Sequence, residues 1–356
     1  MAVLHRIIML VLCVLAAAPA QDKPALQGLD PVELVRGRQV AGDTTFGAAF
    51  ENFTYLFSNP GNRAVFLQQP EPYAIQMGGS CARMGPTSGL GDPDRFLVHD
   101  AKIYIFASES CRNTFGKHPE RFIEKPDAPL VAPADQPQAM KILERAAEAM
   151  GGPAAIERLA SIQFTNRSTY EQDGQTREYF VHDVAVFPEK YAFYQTWHSG
   201  EGRIVVNGGC GYRLESGKRL QLSKSDRDYV IKSFYHRPVM ILKARQRRDF
   251  RATMDGYGMI EQQAVTWIKT HVAASTTRLA VSDADGRILA CEYRGRFKGM
   301  NAQVRKTFSD FRKTGELELP YTSTLSGTDE PGDPKVTTLH RITVNDLPDM
   351  PLFEQE

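Results

Sequence analysis

The chain has 356 residues, 42% of them hydrophobic and 24% charged, the composition of a globular protein longer than one ordinary domain. Its 43 basic and 42 acidic residues leave a formal charge of +1, which excludes an overall field able to gather nucleic acid or an anionic membrane.

Residues 1–20 combine a basic start at His5 and Arg6, an apolar run from Ile7 to Ala18 and the small-x-small ending Ala18-Pro19-Ala20. This is the pattern of a secretory signal cut after Ala20. The run is shorter than the ~20 residues a spanning helix needs, so no transmembrane segment is expected in the mature chain, which should be periplasmic or secreted. Loss of Cys13 leaves Cys81, Cys111, Cys210 and Cys291, an even number entering a compartment where disulfides persist. One bridge per domain would join Cys81 to Cys111 and Cys210 to Cys291. Bridged, buried and metal-bound states all remain open at this point.

The stretch Glu124 to Gln138, EKPDAPLVAPADQPQ, is proline-rich and lacks an apolar period. It divides a domain at 28–125 from one at 139–356, with 126–138 as the linker across which few contacts should pass. Leu143, Ala146, Ala147 and Met150 then fall at helical spacing, stopped by Gly151-Gly152, and a second helix is expected from Pro153. From Ser161 the period becomes two, with turn residues at Asp173-Gly174, Gly200-Glu201-Gly202, Ser216-Gly217 and Asp285-Gly286 marking reversals of antiparallel strands. A helix is expected from Asp226 to Arg237, interrupted or restarted at Pro238. The basic run Lys243, Arg245, Arg247, Arg248 and Arg251 reads as a solvated helical face. Gly208-Gly209-Cys210-Gly211 reads as a tight bend between strands.

The first domain carries Gly28-Leu29-Asp30-Pro31-Val32, Tyr55-Leu56-Phe57-Ser58, Pro70-Glu71-Pro72-Tyr73-Ala74, Gly78-Gly79-Ser80-Cys81-Ala82, Gly91-Asp92-Pro93 and Lys102-Ile103-Tyr104, and closes on Phe115, Pro119, Glu120 and Phe122. In this order and spacing it resembles the YHS domain, itself similar to TRASH-type metal-binding modules. That resemblance implies a soft metal, copper or zinc, held by cysteines near the last strand and helix. The chain departs from the pattern at Ala107, which stands where the first of the paired cysteines is expected. The candidate ligands are therefore Cys81, Cys111, Met84 and His99, with Met77 and His118 in the same module. Thiolate and thioether donors suit Cu(I), and Cys111 sits at an expected helix start that favours thiolate. The alternative is a structural module in which the thiols are bridged and the methionines fill the core.

From Ala139 onward the order of elements resembles the LolA-like superfamily of periplasmic lipoprotein carriers. The matching pieces are Ala154-Ala155-Ile156, Phe187-Pro188, Val205 with Asn207-Gly208-Gly209, Asp283-Ala284-Asp285-Gly286-Arg287, Phe308-Ser309-Asp310-Phe311-Arg312, Leu317-Glu318-Leu319-Pro320 and the closing Leu347-Pro348. The resemblance implies an α+β fold: a small YHS-like module followed by a curved antiparallel β half-barrel with covering helices. Its inner face would be an apolar cradle for lipid or other hydrophobic cargo, formed by Phe193, Trp197, Val205 and Trp267, with Phe164, Tyr179, Leu279 and Leu289 beside them.

No paired-histidine motif, Gly-x-Ser-x-Gly elbow or phosphate-cradling loop occurs, so a non-catalytic binding protein is expected. The two readings are a metal-binding module, and a carrier or scaffold for hydrophobic cargo in which that module is purely structural.

Overall fold

The computed structural model describes residues 23–131, 133–172, 174–197, 200–215, 217–346 and 353, leaving the expected signal at 1–20 and its cleavage after Ala20 outside the described residues.

The first part is built from one unit used twice. In the first copy α1 (Pro31–Val35) precedes a hairpin of β1 (Asp43–Phe50) and β2 (Phe53–Phe57), then α2 (Pro60–Gln68). In the second, β3 (Asp92–His99) and β4 (Lys102–Phe106) lead into α3 (Glu109–Lys117). Asp43 pairs with Phe57 and Asp92 with Phe106, and each pair is followed by the same break in register. Asn59 accepts from Asn62 N to cap α2, and Ser108 accepts from Cys111 N to cap α3, the side-chain capping that satisfies a helix's free N–H groups. Gly42 N donates to Gly28 O and Gly91 N to Gly79 O, both at 2.8 Å. A Cβ would lie 2.6 Å from the Leu56 carbonyl carbon at Gly42 and 2.9 Å from Phe106 N at Gly91, so only glycine admits either approach. Phe66 and Phe115, equivalent in the two helices, are both fully buried.

The remaining strands form two seven-stranded antiparallel sheets. After α4 (Gln136–Ala149) and α5 (Pro153–Glu157), the first sheet is a meander of β5 (Ser161–Gln172), β6 (Gln175–Val186), β7 (Lys190–Trp197), β8 (Gly200–Asn207), β9 (Cys210–Glu215) and β10 (Lys218–Gln221). Helices α6 (Lys224–Phe234) and α7 (Pro238–Ala244) intervene. The second meander is β11 (Arg251–Ile260), β12 (Gln263–Val272), β13 (Ser275–Ser282), β14 (Ile288–Phe297), β15 (Met300–Thr314), β16 (Leu317–Gly327) and β17 (Lys335–Thr338). Finally β18 (Arg341–Val344) returns to the first sheet and pairs with β5. The change of sheet occurs between two residues: Leu339 N donates to Tyr321 O at 2.7 Å and His340 N to Thr165 O at 2.8 Å. The fold is α+β, antiparallel sheets with a few helices.

One core lies between the sheets and takes side chains from both, including Ile162, Val206, Ile268 and Leu279, while Leu143 and Met240 bring in the helices. Helix α4 turns Ala139, Leu143, Ala146 and Ala147 inward at the expected spacing. Fixed at φ by Pro238, α7 starts where its missing N–H costs nothing.

Two expectations are corrected, and the segment read as a linker makes specific contacts. Gly200 opens β8, and Glu201 and Gly202 pair within it, because Trp197 faces Gly200 directly and the reversal falls earlier in the chain. The basic run is only in part a solvated face: Arg247 and Arg248 are exposed beyond the end of α7, but Arg245 is 7% exposed and reaches Glu157 at 3.2 Å. The proline-rich segment is pinned down, since Asp127 accepts from Thr276 N at 2.8 Å and Asp135 from Met254 N at 2.9 Å. Its last residues begin α4.

Candidate functional site

Where the chain passes from one sheet to the other, a cavity of about 240 Å³ opens between them. Phe164 and Val181 form its wall on the first sheet, Phe308 and Leu319 its wall on the second, and Val239 and Leu339 close it from α7 and the crossing segment. Strand alternation selects these side chains. Phe164 and Phe308 both belong to the shared core, on the face of each sheet turned toward the other.

The same alternation brings charge to this apolar space. Lys306 stands directly opposite the buried Cys291 across β14 and β15, two residues before Phe308, and therefore lines the cavity. Its Nζ lies 5.8 Å from the Phe308 ring centroid. Burial, reinforced by the Arg237 charge, pushes the Lys306 ammonium down to about 8. Arg237 is held extended by the proline that follows it. Its guanidinium lies 5.0 Å from the Phe164 ring and 5.1 Å from the Phe234 ring, and it is ion-paired with Asp183. Lys335 adds a third cation at the exposed rim. Behind them the His236 ring stacks on Tyr293, which also lines the cavity, at 3.7 Å and 10°. Burial first, then Lys232, Arg237 and Lys306, holds His236 well below the usual histidine range, and its Nε2 has no partner among the described residues.

The other proposed cradle residues are divided. Phe193 faces inward, 5.1 Å from Phe234, and lines a second space of about 640 Å³ beneath the Thr87–Gly89 loop. Val205 and Trp267 turn outward, because their neighbours Val206 and Ile268 occupy the inward register. Leu289 is likewise outward and Leu279 inward. The Trp197 side chain lies outside the described residues.

Of the proposed metal ligands, Cys81 is fully buried in a small core around Phe115, with Cys111 and Met77 against it. The internal duplication explains the pairing: Cys81 and Cys111 stand where the first copy has Asp30 and Asn62, whose side chains are 2.7 Å apart. His99 meets the Phe115 ring edge-on and lies 3.4 Å from Asp100, His118 faces Glu120, and Met84 is 38% exposed. Among the described residues no three His, Cys, Asp or Glu side chains converge. Cys81, Cys111 and Cys291 are free thiols, so neither expected bridge is present.

Sequence reading passed over Lys306, Arg237 and Asp183. The signal was available in β15, where Ala302, Val304, Lys306 and Phe308 place one lysine in an otherwise apolar alternate register.

No helix among the described residues is long and apolar enough to cross a membrane. No family model and no curated protein matches the chain. Among solved structures it is similar to a LolA superfamily protein from Nitrosomonas europaea, 15% identical, covering 61% of this chain and 97% of that one with a TM-score of 0.41. It is also similar to an outer membrane lipoprotein-sorting protein domain from Vibrio parahaemolyticus, 12% identical over 60% and 97% of the two chains, TM-score 0.38. A third is a DUF1329 family protein from Desulfovibrio piger, 10% identical over 61% and 97%, TM-score 0.35.

Proposed function

We propose that this chain is an exported, non-catalytic carrier of hydrophobic cargo, held between its two curved sheets. In this reading residues 28–125 are a YHS-like module with a structural role, 126–138 the linker and 139–356 a LolA-like half-barrel. The observation that supports it is the seam cavity, whose apolar walls come from both sheets and which widening of the seam would enlarge. Burying alkyl groups there would contribute roughly 0.8 kcal/mol for each methylene removed from water.

Native mass spectrometry of protein purified from a periplasmic extract, together with uptake of a fluorescent alkyl probe, tests this. Val181→Trp, which fills the cavity from β6, should abolish uptake while thermal stability is kept. Undiminished uptake in this variant would place the cargo elsewhere and overturn the reading.

A further inference from the structure

We propose that the seam cavity recognises a single-chain amphiphile through its anionic headgroup, with Lys306 as the principal contact, Arg237 beside it and Lys335 at the rim. This rests on the carrier reading and specifies its ligand.

Several inward-facing cations among the described residues are matched to acceptors, carboxylates in most cases and the Arg83 and Gly299 carbonyl oxygens for Arg296. Arg237 pairs with Asp183, Lys232 with Glu124 and Asp127, Arg245 with Glu157, and Arg278 with Glu292. Lys306 differs from these: no salt bridge or hydrogen bond to its ammonium is made among the described residues, and its nearest partner is the Phe308 ring. Around the cavity three cations, Lys306, Arg237 and Lys335, face one carboxylate, Asp183, already engaged by Arg237. Cys291, across the ladder from Lys306, is no counter-ion, since burial pushes its thiol up to about 12.

Lys306 is half-buried, and an ammonium partly withdrawn from water without a charged partner is costly, the more so beside a guanidinium. A ligand anion would supply the missing charge, and a charge-assisted hydrogen bond in a low-dielectric site is among the strong ones. The apolar walls of Phe164, Val181, Phe308 and Leu319 then take the tail. Size limits that tail, because the cavity between the walls has a volume of only about 240 Å³. That is room for one short chain and not for several acyl chains side by side. Carboxylate and phosphate monoester heads share the required chemistry.

The test is equilibrium binding of decanoate, decyl phosphate, decanol and decyltrimethylammonium to the mature protein, to Lys306→Met and to Lys306→Arg. At least one anion should bind the wild type about tenfold more tightly than decanol, and decyltrimethylammonium should bind more weakly still. Lys306→Met should remove the preference for the anion over decanol, and Lys306→Arg should restore it. The stronger of the two anions identifies the headgroup. Decanol binding the wild type as tightly as both anions would overturn the headgroup assignment and leave the carrier reading standing. Retention of the anion preference in a folded Lys306→Met variant would do the same. If none of the four probes binds the wild type, the carrier reading falls and this inference with it. The wild-type series decides the matter even if Lys306→Met does not fold.

Discussion

The Asn62 amide donates to Asp30 Oδ2 at 2.7 Å in the first copy of the duplicated unit, and Cys111 and Cys81 stand at the equivalent positions in the second. Asp30 is fully buried and also accepts from Val32 N at 2.9 Å, Ser58 N at 2.8 Å and Ser58 Oγ at 2.7 Å. One carboxylate thus caps α1 and fixes the start of α2 against it. The second copy meets the same packing problem with two thiols, which need no such hydrogen-bond set.

Asp30→Ala should therefore cost about 3 kcal/mol, because it strands the donors of Asn62 and Ser58 in the interior. Burial pushes the Asp30 carboxyl up, but the hydrogen bonds from Asn62 and Ser58 outweigh it and hold it below the usual aspartate range. Stability from this group is present above its unfolded value and lost as pH falls through the lower folded value. Urea midpoints across the acid range should show that loss in the wild type and a shallower one in Asp30→Ala. Equal midpoints for the two proteins near neutral pH would count against the assignment.

Glu51 acts with the opposite sign. Burial first, and the nearby Asp226 charge second, push its carboxyl up to about 7. A raised folded value gives stability that is complete below the unfolded value near 4.5 and lost as pH rises toward 7. The wild type should unfold at lower urea near pH 8 than near pH 5. Glu51→Gln should flatten this part of the profile, and an unchanged slope in that variant would assign the effect to other groups.

Gly78 touches α6 so closely that a Cβ would lie 1.9 Å from Asp226 Oδ2, and its φ is +56°. Gly78→Ala should cost on the order of 3 kcal/mol, combining a steric clash with left-handed strain. Gly174, at φ +70° with nothing within 4 Å of where a Cβ would stand, is the control. Gly174→Ala carries the strain alone and should cost about 1 kcal/mol. Similar losses in denaturant melts of the two variants would show that the contact with Asp226 is dispensable.

Thiol reactivity should follow burial. Cys291 is fully buried, its thiol lies 3.5 Å from the His236 carbonyl oxygen, and burial pushes it up to about 12. Cys111 is half-buried in the first turn of α3. Native-state alkylation followed by peptide mass mapping should label Cys111 at least about tenfold faster than Cys291, with the difference vanishing in urea. Equal native rates would mean that the Cys291 region opens readily.

Local information was sufficient for much of the second part. The spacing of Leu143, Ala146 and Ala147 gave α4 its buried stripe, the helical stretch after Asp226 and the restart at Pro238 appear as α6 and α7, and Gly208-Gly209 forms the bend between β8 and β9. The duplication was also written in the chain, as Gly42-Asp43 and Gly91-Asp92, Tyr55-Leu56-Phe57 and Tyr104-Ile105-Phe106, and Pro70-Glu71 and Pro119-Glu120. Few identities and different lead-in lengths hide it until the ladders align the two copies.

Tertiary structure decided which of two alternating faces mattered. Period two marks Val205 and Val206, or Trp267 and Ile268, as strand residues equally well, and only the packing of one sheet toward the other turns Val206 and Ile268 inward. It also decided that Lys306 of β15, Arg237 before α7 and Asp183 of β6 meet at one seam. Residues so distant in sequence carry no mutual signal, because their proximity arises from the return of β18 to β5 and the crossing at Leu339 and His340. Much of the second part's strand, helix and turn pattern follows from local periodicity and backbone preference; the seam and its charges follow from long-range packing that no local pattern encodes.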